Sequence, residues 1–285
     1  MALFKHIMDL KRAALARLRD KRKAKRYPVG AGFPLRATIT LPDIDTTGKR
    51  SGDDPKKPGA GGRDWNGVPV NVSESGMSIQ LPLAATCARG HETLVVLSLD
   101  GHQIQLPAKV AHFRVQAASA FCGLQLEVKD AGQRKAYLQL VNIVAMGSTF
   151  TPGKKPTGIK PRPGKGVEQY TSSLDAVLTV WRDTATGKLD SFEMVMNEHC
   201  VRGIVGRPSL EIFSNKKESD KMAWSAPSFG SSAGVENPEV RQLYRWVVFN
   251  LPKAVPNDLR EVMRFFAASR GDWKAPPVKK ETLKV

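Results

Sequence analysis

Cysteine is scarce in this chain: three in 285 residues, at positions 87, 122 and 200. An odd number at such wide spacing makes neither a disulfide framework nor a C-x-x-C metal site, and it suits a reducing cytoplasm. Long apolar runs are missing too. No stretch approaches the ~18 residues a membrane-spanning helix needs, and the N-terminus lacks the continuous apolar core of a secretory signal. Catalytic signatures are equally thin. Around Gly158–Gly166 a phosphate-binding loop would need glycine at 159, where isoleucine stands, and Ser or Thr at 166, where glycine stands; the stretch also lies in a linker rather than between strand and helix. His199 and Cys200 are neighbours, so on a strand they point to opposite faces and cannot form a nucleophile–base pair. With Glu198 they lack metal-ligand spacing. We therefore expect no catalytic residue, no metal site and no cofactor.

Acidic residues are the other shortage, 27 against 44 Lys and Arg, for a net charge of +17. The distribution of that excess decides what it means. Basic outnumber acidic residues by 10 to 2 in residues 1–26, 12 to 10 in 27–145, 5 to 1 in 146–169, 13 to 13 in 170–272 and 4 to 1 in 273–285. The two long segments are nearly neutral, which is not the footprint of a basic domain laid on a duplex. We expect no specific nucleic-acid partner. A local anion site within residues 22–26 fits the pattern.

Residues 1–25 read as a basic amphipathic helix, with Leu3, Phe4, Ile7, Met8, Leu10, Ala14, Leu15 and Leu18 at helical spacing. It packs on its own domain or on a partner helix; weak contact with anionic lipid, peripheral to the inner membrane, is the alternative. Pro28 ends it.

The chemistry concentrates in Val68–Leu81. Two alternating apolar arms, Val68, Val70, Val72 and then Met77, Ile79, Leu81, flank the polar string Asn71-Val72-Ser73-Glu74-Ser75-Gly76. Alternation of this kind marks half-buried strands. Asn71 and Ser73, two apart on a strand, share a face and offer an amide and a hydroxyl to one small polar ligand. Gly76 permits the positive φ or close backbone approach that a turn or bulge needs. Upstream, Arg22-Lys23-Ala24-Lys25-Arg26 precedes a strand-like run from Pro34 to Leu41.

This ordered pair, R-x-x-x-R and then N-x-S-x-x-G, resembles the motif pair of the PilZ family. Gln105–Val110 is similar to that family's central strand, Phe121–Leu126 to its closing strand, and Gln133–Val144 to the helix that covers its barrel. The resemblance covers about residues 22–145. It implies a mainly β fold, a six-stranded antiparallel β-barrel with flanking helices, and a non-enzymatic receptor for cyclic di-GMP. It carries Arg22, Arg26, Asn71, Ser73 and Gly76 over as ligand-binding residues. An arginine fork suits guanine O6/N7 or phosphate and stacks on a base, where lysine would do poorly. The resemblance also implies that the arm carrying Arg22 and Arg26 folds over the ligand and reorients what lies beside it. A PilZ-like adaptor that acts through protein contacts without nucleotide is the second reading, and a nucleic-acid-binding protein using the basic helix and linker is the third.

Elsewhere the chain reads as a mobile loop at 43–67, strands at Thr93–Leu99, Gln103–Phe113 and Ala120–Val128, a turn at Asp100-Gly101, and a Pro/Gly/Lys linker at 146–169. Trp65 is a core or rim residue, or a cover for a bound base. Residues 170–272 read as a second β-rich domain: strands at Leu174–Trp181, Phe192–Met196, Val201–Val205, Leu210–Phe213 and Leu243–Leu251. A helix from Asp258 to Ala268 follows, with Asn257 as N-cap. It is either a divergent PilZ-like barrel or an unrelated α+β domain; in both cases it lacks the ligand motifs and serves as a partner surface. A basic tail, 273–285, ends the chain.

Overall fold

The computed structural model describes residues 24–42, 62–153, 159, 162–197, 199–207, 209–214 and 238–268. The leading helix, Arg22 and the basic tail lie outside the described residues.

The first half is built from β1 (Tyr27–Pro28), β2 (Leu35–Pro42), β3 (Gly62–Ser73), β4 (Gly76–Leu81), β5 (Glu92–Leu99), β6 (His102–Val115) and β7 (Ala120–Leu126). Six of these run in the antiparallel order β3-β2-β5-β6-β7-β4, and pairing of β3 with β4 closes them into a barrel. The two-residue β1 adds to β3 from outside. The period-two pattern directs the core: Leu35, Ala37, Ile39 and Leu41 of β2, Met77, Ile79 and Leu81 of β4, and Val95 and Leu97 of β5 are all at most 2% exposed. Each of these side chains larger than alanine contributes roughly 1.5–3 kcal/mol by leaving water.

Closure depends on β3 serving two partners. Its first half, Gly62–Gly67, pairs with β2, and its second half, Val68–Ser73, pairs with β4. The strand turns this corner at Gly67, where a Cβ would lie 2.7 Å from Leu81 Cδ2. A register shift between Pro69 and Asn71 follows, and such a bulge sharpens the bend. Of the expected loop 43–67, residues 43–61 lie outside the described residues and 62–67 are strand. Gly62-Arg-Asp-Trp-Asn-Gly has poor β propensity, and pairing with β2 overrides it, with side-chain bonds Thr40 Oγ1 to Asp64 Oδ1 (2.7 Å) and Thr38 Oγ1 to Asn66 Oδ1 (3.1 Å) across the ladder. The bulge also breaks the expected Val68/Val70/Val72 alternation, because Val72 is buried while Val68 is 47% exposed.

The β5–β6 turn is as expected. Asp100 (φ 46°) and Gly101 (φ 89°) are both left-handed, the geometry of a tight hairpin turn. Helix α1 (Ala131–Ser148) is capped by Asp130, whose side chain accepts from the Gln133 amide. Tyr137, Leu140, Val141 and Val144 enter the barrel core, whereas Met146 and the following Phe150 belong to a second core. Where a linker 146–169 was expected, residues 146–150 are thus helix end and core, and 151–152 and 165–169 are strand.

That second core lies under a six-stranded antiparallel meander: β8 (Thr151–Pro152), β9 (Lys165–Thr171), β10 (Val177–Asp183), β11 (Leu189–Met196), β12 (His199–Ile204) and β13 (Glu211–Ser214). Among the described residues β8 and β13 do not pair, so the sheet stays open and the α+β reading holds over the barrel. Two helices cover it, α2 (Pro238–Phe249) and α3 (Asn257–Ala268). Leu243–Leu251, expected as a strand, is mostly helical. Val240, Tyr244, Val247 and Val248 are the buried set, spaced 0, 4, 7 and 8, and that helical face packs on the sheet. Phe192 stacks on Tyr244 at 6.2 Å and meets Phe266 edge-on at 5.8 Å. Asn257 sits inside the first turn of α3, donating to Glu261 Oε1 at 2.7 Å rather than capping.

Candidate functional site on the β3–β4 hairpin

The motif string folds into a hairpin in which Ser73 pairs with Gly76 across a turn at Glu74-Ser75. Gly76 is needed for close approach, not for a left-handed backbone. A Cβ there would run into the carbonyl oxygen of Leu124 on β7, the strand that pairs Gln125 with Gly76. Ser73, 4% exposed, donates its hydroxyl to Gly76 O at 3.1 Å. That donor serves the turn itself, and the serine lone pairs are what it can offer a ligand.

The turn is also held from inside. Tyr137 of α1 lies with its hydroxyl 2.8 Å from Ser73 O and 3.0 Å from Gly76 O. Burial pushes the phenol's pKa well up, so it stays a donor. The sequence reading missed Tyr137; its signal was an aromatic on the same helical face as Leu140, Val141 and Val144.

Asn71 stands one pairing step from the bulge, flanked by Pro28 of β1 and Ser78 of β4. Its Oδ1 is buried and has no hydrogen-bond partner among the described residues. An acceptor left so costs roughly 1–3 kcal/mol, which a ligand donor would recover. Arg26 is exposed and precedes the pair Tyr27↔Val72, so the register carries it alongside Ser73. Arg26, Asn71, Ser73 and Gly76 are thereby brought to one end of one hairpin; Arg22 is outside the described residues.

Two further features flank the hairpin. A cleft of about 320 Å³ is lined by Arg89, Lys109, Gln125 and Glu127 among others, and it adjoins the motif because Gly76 pairs with Gln125 and Gln125 with Lys109. Trp65 is a rim residue, partly buried against the barrel core with the Arg63 guanidinium 4.4 Å above its ring. Away from the hairpin, Cys200 is fully buried and desolvation pushes its thiol up to about 12, which disarms it as a nucleophile.

A family model, the PilZ domain, matches residues 20–142. Similar solved structures include the PilZ domain with c-di-GMP of YcgR from Escherichia coli, 8% identical, covering 44% of this chain and 92% of that one with a TM-score of 0.33. The PilZ domain of CeSA from a cellulose-synthesizing bacterium is 15% identical, covering 41% and 95%, with a TM-score of 0.28. No curated protein matches.

Proposed function

Residues 20–142 are a PilZ domain, and from that premise we propose that the protein is a non-enzymatic receptor for cyclic di-GMP. The observation that carries the reading is the buried Asn71 Oδ1, without a hydrogen-bond partner among the described residues, on the hairpin beside the arginine arm. A guanine presents N–H donors that such an oxygen can accept, while the Arg22 and Arg26 guanidiniums supply bidentate contacts to phosphate or the guanine O6/N7 edge and planes to stack on. The family whose model matches residues 20–142 is a ligand-binding one.

In this reading the arm orders over the ligand, and the change is passed to the 170–272 domain or to a protein partner held by that domain or the N-terminal helix. Ordering on binding is a population shift and requires the ligand to prefer the closed arm. In this reading the receptor works in the cytoplasm, as the scarce, widely spaced cysteines suit. The engaged hydroxyl of Ser73 favours one alternative, an adaptor that keeps the fold and binds protein without nucleotide.

Calorimetric titration of the full-length protein with cyclic di-GMP, beside the double variant Arg22→Ala, Arg26→Ala, tests this. Low-micromolar or tighter binding that the variant loses supports the receptor. Folded wild-type protein that gives no heat at high ligand concentration leaves the adaptor.

A further inference from the structure

The segment that carries Arg26 into the site is weak by itself. β1 is two residues long and one of them is Pro28, which has no amide hydrogen to give the ladder. On its β3 side the segment is continued by Val29 N donating to Val70 O at 2.9 Å. A strand this short on a sheet edge does not hold its own register.

Its other side is held from the far half of the chain. Asn250, directly after α2 and 3% exposed, accepts from the Gly30 amide through Oδ1 at 2.6 Å. Its Nδ2 donates to Val144 O of α1 at 2.8 Å and to Pro28 O at 3.4 Å. One amide thus ties the arm's backbone to the helix that, through Tyr137, also holds the Ser73–Gly76 turn. Two glycines make room for it. A Cβ on Gly30 would stand 3.0 Å from Asn250 Oδ1, and one on Gly147 would stand 2.8 Å from Asn250 Cβ. Farther along α2, Trp246 Nε1 donates to Asp100 Oδ2 at 2.8 Å, so the helix is anchored to the barrel at a second point.

We propose that Asn250 is a positioning residue for the ligand arm: through its side chain the second half of the protein sets where Arg26 stands against the Ser73 hairpin. The inference rests on the receptor reading above and adds a residue with no place in the motif pair. A ligand that needs the arm in one arrangement binds more weakly as that arrangement becomes less populated, in proportion to the lost population. The same linkage runs backwards, so ligand that fixes the arm steadies α2.

The experiment compares full-length wild type, Asn250→Ala, Asn250→Asp and Phe266→Leu. Each is read by titration with cyclic di-GMP and by amide hydrogen exchange of residues 24–33. Asn250→Asp keeps an acceptor for Gly30 but removes both donors without changing volume, and it carries the test if Asn250→Ala does not fold. Phe266→Leu loosens the second core without touching the arm. The expected result is affinity about tenfold weaker in both Asn250 variants, faster exchange at Gly30 in Asn250→Ala, and wild-type affinity in Phe266→Leu. Affinity within twofold of wild type in the Asn250 variants overturns the proposal. So does an equal loss in Phe266→Leu, which would make the effect one of general stability. Absence of binding by wild type with Gly30 still protected is a different failure: it removes the receptor reading, and this inference falls with it.

Discussion

Tyr137 and Ser73 are 64 residues apart in sequence, yet the phenol hydroxyl stands 2.8 Å from the serine's carbonyl oxygen. The helix that closes the barrel core thereby also fixes the turn on which the proposed ligand contacts stand. Ser73 and Gly76 do not depend on strand pairing alone.

Replacing Tyr137 by Phe keeps the ring in the core and deletes this donor. Gly76 O retains the Ser73 hydroxyl, whereas Ser73 O loses its side-chain partner. A loss of about 1–2 kcal/mol in chemical denaturation is expected. The pH dependence has a definite sign. Burial raises the folded-state pKa, so the contribution is fully present below the ordinary tyrosine value near pH ~10 and is lost as pH rises beyond it. Tyr137→Phe should therefore lose less stability than wild type between neutral pH and the alkaline range. Parallel alkaline curves would show that Tyr137 has no part in that loss.

Gly76→Ala is expected to be far more costly than an ordinary strand substitution, because the new methyl meets the Leu124 backbone rather than a movable side chain. Overpacking against backbone costs roughly 1–3 kcal/mol or more. Gly101→Ala is the contrast. Its φ of 89° is unfavourable for alanine, but nothing lies within 4 Å, so the strain stays local. Thermal unfolding of the pair should place Gly76→Ala below Gly101→Ala; the reverse order would mean that the β4–β7 contact relaxes easily.

The cysteines separate by environment. Cys87 is half-buried, and a hydrogen bond from the Cys122 thiol lowers its pKa; the same contact and burial raise that of Cys122. Cys200 is buried and raised as well. Since the thiolate is the reactive form, brief treatment of the native protein with iodoacetamide should add one label, at Cys87, and denaturation should expose all three. Intact mass and peptide mapping read this directly, and labelling of Cys122 or Cys200 at the same rate would contradict the burial.

Much of the barrel was legible in the chain because its signals are local. Leu35, Ala37, Ile39 and Leu41 alternate and face inward; Asp100-Gly101 makes a tight turn; the helix expected at Gln133–Val144 lies within α1. The motif pair likewise located the hairpin. Two stretches misled for the same reason, that local preference was weak or ambiguous. Gly62–Gly67 looks like loop until β2 lies beside it. Leu243–Leu251 has the apolar content of a strand, and only a sheet beneath it, presenting Phe192, selects the helical face.

By itself, then, the sequence determined the inward-facing residues of the regular strands β2 and β4, the tight turns and the identity of the polar string from Asn71 to Gly76, since side-chain period and turn chemistry act over a few residues; the bulged β3 escaped it. The tertiary structure alone decided that Tyr137 holds that string, that Cys87 meets Cys122, and that Asn250 reaches Gly30 across 220 positions. Contacts at such separations leave no periodic trace in the chain. They exist only once two cores, joined through α1, have brought the distant backbones together.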